Sequence, residues 1–272
     1  MKVCEVFMEL TNESKTLFIP LYARALMSKE NLFLKDLKAE EIINKVNYHF
    51  DELNQSKWLS MYLATRTAVL DRMVNDYIRD NKKCTIIHLG CGLDSRCQRV
   101  NQDYGVWYDL DFTNVIHLRK QFFQESDNYK MIGKSITDLS WLDEITVKNQ
   151  RILIVAEGLF MYLSEEEIKL IIKHINDKLG DVTLLFDSYS KLGVKLSNYK
   201  NPVNQVDANI RFGMKDETDF LRLNSNLLFI REAAIKYENN QLKGMTRWIF
   251  NYVYCGKFSE SLYKIYKFYL VK

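Results

Sequence analysis

The chain has 272 residues, 47% of them hydrophobic, enough to bury a full core in one large domain. Lys+Arg 38 against Asp+Glu 35 leaves +3 at pH 7, and no run of four Lys/Arg occurs, so neither nucleic acid nor an anionic membrane is an expected partner. The five cysteines (Cys4, Cys84, Cys91, Cys97 and Cys255) are odd in number and no pair has CxxC spacing, so neither a disulfide framework nor a zinc site follows from them.

The first segment, MKVCEVFMELTNESK, has no apolar h-region. No later stretch approaches the ~18 apolar residues of a membrane span. With thiols read as reduced, the expected location is the cytoplasm. Over the first eighty residues, Leu17, Leu21, Ala25 and Leu26, then Ile42, Ile43, Val46 and Phe50, then Leu59, Leu63, Val69, Leu70, Val74 and Ile78 recur at helical spacing. At Cys84 the pattern changes. CTIIHLG is an apolar, β-branched run ending in glycine, which predicts a buried strand. DSRCQRV reads as helix, VWYDLDF as strand, NVIHLRKQFFQES as amphipathic helix, YKMIG as strand and SWLDEITV as helix.

RILIVAEG is a further strong strand. Ser164 with Glu167 forms a capping box that starts a helix to about Lys178, and Gly180 ends it. VTLLFDS is another buried strand. Residues 190–215 read as a loop or lid, KDETDFLRL as a short helix, LLFIREAAI as a strand, GMTRWIFNYVY as a helix and LYKIYKFYLVK as a terminal strand. Alternating strands and helices predict an α/β fold with a parallel sheet and helices on both faces. Continuous apolar strands fit a sheet covered on both sides. The expected organisation is one domain: a helical N-terminal cap over 1–82, a cofactor-binding core over 83–190, and a lid with a C-terminal sheet edge over 191–272.

Three elements carry chemistry. Gly90-Cys91-Gly92 at the tip of the first strand lets a ligand approach the backbone. The third glycine of a dinucleotide fingerprint is replaced by Ser95, and a GxG alone also fits a tight strand-to-helix turn. Asp111 ends the second strand 21 residues after Gly90, the spacing of an acid that accepts from ribose hydroxyls. Its alternative is a solvated strand-end acid such as its neighbour Asp109. Together these suit a nucleoside cofactor without choosing between NAD and S-adenosylmethionine. Asp94, at the start of the next helix, is expected to repel a pyrophosphate and so to favour the latter. Glu157 ends a third strand, where it could receive an ammonium group, orient a substrate, or be a buried paired acid.

HLGCGLDSR, VWYDLDF with NVIHLRKQFF, ITDLSWLDEI and VAEGLFMYLSEEE, in this order, resemble the leucine carboxyl methyltransferase family, and within it the bacterial tetracenomycin-type polyketide O-methyltransferases. TLFIPLYARAL, DLKAEEIINKV and ATRTAVLDRMV carry the resemblance into the cap, and it spans residue 15 to about 190. It implies a class I methyltransferase, a Rossmann-like fold with a mostly parallel seven-stranded sheet behind a helical N-terminal layer. It implies S-adenosylmethionine as cofactor. By the same resemblance Arg66 grips the methionine carboxylate, a role suited to a planar bidentate donor. Arg24 is the second basic candidate. Gly90, with Gly92, contacts the cofactor through the backbone, Asp111 binds the ribose, Ser135 and Ile136 line the adenine, and Glu157 contacts the cofactor. Ser135 stands where Asp is usual, with Asp138 as fallback; Thr113 and Phe212 stand where Pro and Trp are usual.

The implied reaction is methyl transfer to a hydroxyl or carboxylate oxygen of a small acceptor, aromatic or polyketide-like. A protein C-terminal carboxyl methyltransferase is the alternative. A non-catalytic nucleoside-binding protein or a nicotinamide enzyme is the reading from another class. His49, His88, His117 and His174 fit packed or solvated positions better than a general base, and Tyr162 is the sole catalytic candidate. Phe212, Trp248, Phe250, Tyr252 and Tyr254 are expected to form the acceptor pocket or else to be core.

Overall fold

The computed structural model describes residues 16–147, 150–197, 210–236 and 241–272. Three helices lead: α1 (Phe18–Lys29), α2 (Leu37–Lys45) and α3 (Lys57–Asp80). Each of the last two begins on a side-chain cap. Asp36 accepts from the Ala39 amide, and Ser56 from the Leu59 amide. The buried stripe of α3, including Met61, Ala64, Val69, Met73 and Ile78, faces inward along all 24 residues. Residues 1–15, and Cys4 among them, lie outside the described residues; Cys84, Cys91, Cys97 and Cys255 are buried free thiols.

The sheet has seven strands in the order β3-β2-β1-β4-β5-β7-β6. They are β1 (Thr85–Leu89), β2 (Val106–Asp111), β3 (Tyr129–Gly133), β4 (Ile152–Ala156), β5 (Val182–Tyr189), β6 (Leu227–Ala233) and β7 (Tyr263–Leu270). The first five are parallel, and β7 runs antiparallel to both β5 and β6. Alternate residues of β4 explain its unbroken apolar run. Leu153 and Val155 join the core beneath α1 and α3, whereas Ile152, Ile154 and Ala156 join the core on the opposite face. That second core packs α4 (Glu165–Leu179), whose start is the Ser164–Glu167 capping box and whose end is Gly180 at φ +75°.

Chain order reverses between β1 and β4: β2 and β3 lie on one side of β1, and β4 and β5 on the other. At such a switch point the connections leave in opposite directions and open a crevice at the carboxyl ends of the strands. Gly90–Gly92 and Glu157 flank that crevice because they directly follow β1 and β4.

Several expected helices are shorter than their apolar periodicity. DSRCQRV forms α-helix only over Arg96–Arg99, NVIHLRKQFFQES over Thr113–Arg119, and SWLDEITV gives the 3-10 helix Leu139–Glu144. The 190–215 segment begins with a helix, Lys191–Ser197, and its residues 198–209 lie outside the described residues. GMTRWIFNYVY is α-helical over Gly244–Ile249 and a π-helix over Phe250–Tyr254. Thr113, where proline is usual, opens its helix and donates through Oγ1 to the Gly133 carbonyl at 2.7 Å. Among the described residues no helix is long and apolar enough to cross a membrane, and no cluster of His, Cys, Asp and Glu could hold a metal.

Candidate functional site

The loops after β1, β2, β3 and β4 converge on a cavity of about 390 Å³, with α1 and α3 supplying its other wall. Arg24, Arg66, Gly90, Gly92, Asp111, Ser135, Ile136, Glu157 and Tyr162 all line it. Its floor is the glycine turn. Gly90 and Gly92 sit at φ +63° and +49°, a region that side chains oppose, and a Cβ on Gly90 would lie 2.9 Å from Leu159 Cδ1. Gly90→Ala is expected to cost about 1–2 kcal/mol of stability through the left-handed backbone alone, read by urea denaturation. Asp111 accepts from the amides of Gly92 at 2.7 Å and Phe112 at 2.8 Å, which ties the glycine turn to the end of β2. Burial raises its pKa, against those two amides. Asp109 is a different kind of acid: fully buried, held by Arg119, Tyr129 and Trp107.

The opposite end of the cavity is ionic. Arg66 donates from Nε to Glu157 at 3.0 Å and from Nη1 to the Tyr263 hydroxyl at 3.3 Å, and Nη1 lies 3.3 Å from Asp187. Its Nη2 makes no hydrogen bond among the described residues. Glu157 also accepts from Thr67 Oγ1 at 3.0 Å and from Arg96 Nη2. Burial opposes its charge, but Arg66 and Arg96 outweigh burial and hold its pKa down at about 2. Arg96, fully buried, reaches Asp71 at 2.7 Å and Asp94 at 3.2 Å. Arg99 reaches Asp71, Asp94 and Asp36, and Arg24 donates to Asp36 at 3.0 Å and to the Leu93 carbonyl at 3.1 Å. Charges on the cap helices and on the glycine loop thus interlock.

A family model described as leucine carboxyl methyltransferase matches residues 2–176. The chain belongs to the leucine carboxyl methyltransferase family. The tetracenomycin polyketide synthesis O-methyltransferase TcmP of Streptomyces glaucescens is 30% identical over 207 residues, 75% of this chain and 76% of its own. The S-adenosyl-L-methionine-dependent methyltransferase dpfgK of Gibberella zeae is 30% identical over 229 residues, 76% and 77% of the two chains. A SAM-dependent methyltransferase of Anabaena variabilis, only 10% identical, superposes with a TM-score of 0.52 over 83% of this chain and 96% of that one, which shows a shared fold. Family and fold make this chain a methyltransferase of class I architecture.

The structure corrects three sequence-based expectations about this methyltransferase. Asp94 is no free negative charge: burial opposes its ionisation, yet Arg99, Arg96 and Arg24 hold its carboxyl well below the usual range and neutralise it. What disfavours a pyrophosphate is the helix instead. Arg96–Arg99 is four residues long and Ser95 makes no cap bond, so no long helix N-terminus faces the glycine turn. Asp138, the fallback adenine contact, does not line the cavity; it caps the 3-10 helix through the Ser140 amide and hydroxyl. The expected aromatic acceptor wall also fails. Phe212 and Phe250 are core, Trp248 and Tyr252 are exposed, Tyr254 stacks on Trp58, and none of the five lines the cavity. Leu59, Tyr62, Leu63, Tyr162, Tyr189 and Tyr263 line it in their place. Arg96, Asp71, Arg99 and Asp187 were invisible as site residues. The one available signal was Arg96 and Arg99 three apart directly after the glycine loop.

Proposed function

We propose that this chain transfers a methyl group from S-adenosylmethionine to an oxygen, hydroxyl or carboxylate, of a small apolar or aromatic acceptor. The observation that carries it is the layout of one cavity: a glycine floor, Asp111 at one end, and Arg66 with a spare guanidinium nitrogen at the other. That donor set suits the cofactor. Asp111 accepts from ribose hydroxyls, Ser135 and Ile136 flank the adenine, and Arg66 Nη2 grips the methionine carboxylate. Arg24 acts behind Leu93, since its Nε and Nη2 are engaged within the protein. Glu157 receives the ammonium and keeps its charge because Arg66 and Arg96 hold it ionised. The TcmP relative, an O-methyltransferase of polyketide synthesis, supports a small-molecule acceptor, and dpfgK supports the cofactor.

When bound, S-adenosylmethionine supplies an electrophilic methyl group that needs no further activation. The protein's part is orientation and exclusion of water. Leu59, Leu63 and Met161 keep the acceptor end apolar, and Tyr62, Tyr162, Tyr189 and Tyr263 add aromatic faces. Burial pushes the Tyr162 phenol up, so Tyr162 orients by donating a hydrogen bond and does not take a proton. His88 also lines the cavity, but its ring lies against Asp109 and Arg96 inside β1.

Two measurements test this. S-Adenosylhomocysteine at about a hundred times its Kd is expected to stabilise the fold by about 2.7 kcal/mol, with NAD giving no shift. A shift with NAD alone would replace the methyltransferase assignment of the cavity. With methyl-labelled cofactor and cell extract, label is expected in small organic-soluble products. Base-labile label on protein would instead select a protein carboxylate as acceptor.

A further inference from the structure

We propose that Asp187 is a positioning residue: from beneath the cavity it locks the Arg66 guanidinium and the Glu157–Gly158 turn into one unit, leaving Arg66 Nη2 for the ligand carboxylate. The inference rests on the cofactor reading above. Asp187 lies near the end of β5 with its side chain fully shielded, and it does not line the cavity. Its Oδ1 accepts from the Gly158 amide at 2.6 Å, and its Oδ2 lies 3.3 Å from Arg66 Nη1. Gly158 is itself left-handed, at φ +64°, and a Cβ there would lie 3.6 Å from Arg66 Nη2. The turn and the guanidinium are therefore neighbours: Asp187 accepts from the turn through Oδ1 and pairs ionically with the guanidinium through Oδ2, which makes no hydrogen bond among the described residues.

The geometry divides the guanidinium by edge. Glu157 from β4 takes Nε, and Asp187 from β5 with Tyr263 from β7 takes Nη1. A guanidinium presents its donors in a rigid plane, so fixing two nitrogens fixes the direction of the third. A neutral amide at 187 would keep the shape and lose the charge that pairs Nη1.

The charged and titratable groups facing Asp187 are Arg66 on α3, Glu157 just after β4, Tyr162 in the turn that follows it and Tyr263 on β7, and burial keeps the Tyr162 phenol neutral. Arg66 stays protonated, Glu157 stays ionised, and burial keeps the Tyr263 phenol neutral. Burial raises Asp187, against the pull of Arg66. Asp187 is therefore the member of this cluster that takes a proton as pH falls. Protonation removes half of the clamp on Arg66, so ligand affinity falls with pH. Asp111 also titrates upward of the usual range at the other end of the cavity, so the informative quantity is the difference between wild type and variant.

The test is calorimetric titration of S-adenosylhomocysteine into wild type, Asp187→Asn and Tyr263→Phe, from about pH 8 down to about pH 5. Asp187→Asn is expected to weaken binding about tenfold at the upper pH, through loss of the 3.3 Å ion pair with Arg66 Nη1, and to flatten the pH dependence. Tyr263→Phe keeps the carboxylate and is expected to keep the wild-type slope. Equal affinity and equal slope in wild type and Asp187→Asn would overturn the proposal. If Asp187→Asn does not fold, the profile of Asp111→Asn decides, because it removes the other raised carboxyl: affinity still falling with pH supports the proposal, and a flat profile overturns it. Absence of binding by wild type at every pH would instead sink the cofactor reading itself.

Discussion

Asp111→Ala is expected to weaken S-adenosylhomocysteine binding by roughly 10- to 100-fold, about 1–3 kcal/mol, in a calorimetric titration at neutral pH. Two losses contribute. The carboxylate that lines the cavity from the end of β2 is removed, and with it the acceptors proposed for the ribose hydroxyls. The Gly92 amide also loses its 2.7 Å partner, so the glycine turn is no longer tied to β2. Asp111→Asn separates the two, because the amide oxygen can still accept from Gly92 while the charge is gone. Asparagine is expected to fall between wild type and alanine. Because burial raises the Asp111 pKa, wild-type affinity is highest where the group is ionised and falls as pH drops through its titration. Alanine with unchanged affinity would mean that the ribose lies elsewhere.

Arg96→Met should destabilise the fold by about 3–5 kcal/mol, the cost of stripping the counter-charge from buried carboxylates. Arg96 is fully buried and touches Asp71, Asp94 and Glu157, so three acids lose a partner at once. Urea denaturation reads the loss. Acid reads it a second way. Asp36, Asp94 and Glu157 are all held below their ordinary values, Glu157 from 4.5 to about 2. Depressed carboxylates stabilise the fold above their unfolded pKa, and that contribution is lost as pH falls toward the folded one. Wild type is therefore expected to lose stability steadily below about pH 4.5, and Arg96→Met to lose less over the same interval because less remains to lose. A variant within about 1 kcal/mol of wild type would show that the buried ions are balanced without Arg96.

Local chemistry made much of this legible. The strands were readable from unbroken apolar runs, which only a sheet covered on both faces permits. The Ser164–Glu167 box and Gly180 marked the limits of α4 because capping depends on neighbours three or four residues away. Helix lengths after the glycine turn were not readable, since no glycine, proline or capping residue in DSRCQRV marks the stop after Arg99. The acceptor wall was misassigned for a related reason. Aromatic composition near residue 250 is the same whether a ring faces a cavity, the core or water. Trp248 and Tyr252 stack on each other outside while Phe250 packs inside.

The sequence by itself determined the mostly parallel sheet and the set of residues that meet at the cavity: Gly90, Gly92, Asp111, Ser135, Ile136, Glu157, Arg66 and Arg24; the strand order, with its switch point between β1 and β4, came from the structure. Gly90, Gly92, Asp111 and Glu157 follow strand ends that the apolar runs mark, whereas Arg24, Arg66, Ser135 and Ile136 came from the family resemblance. Only the tertiary structure decided how their charges are spent. Arg66 and Glu157 are 91 residues apart, and Arg99 and Asp36 are 63 apart. Ion pairing depends on separation in space through a medium that the fold itself makes dry, and no local pattern encodes that distance. Asp94 was therefore read as a free charge and proved neutralised, and Asp187, unremarkable near the end of an apolar strand, proved to lie 3.3 Å from Arg66 Nη1.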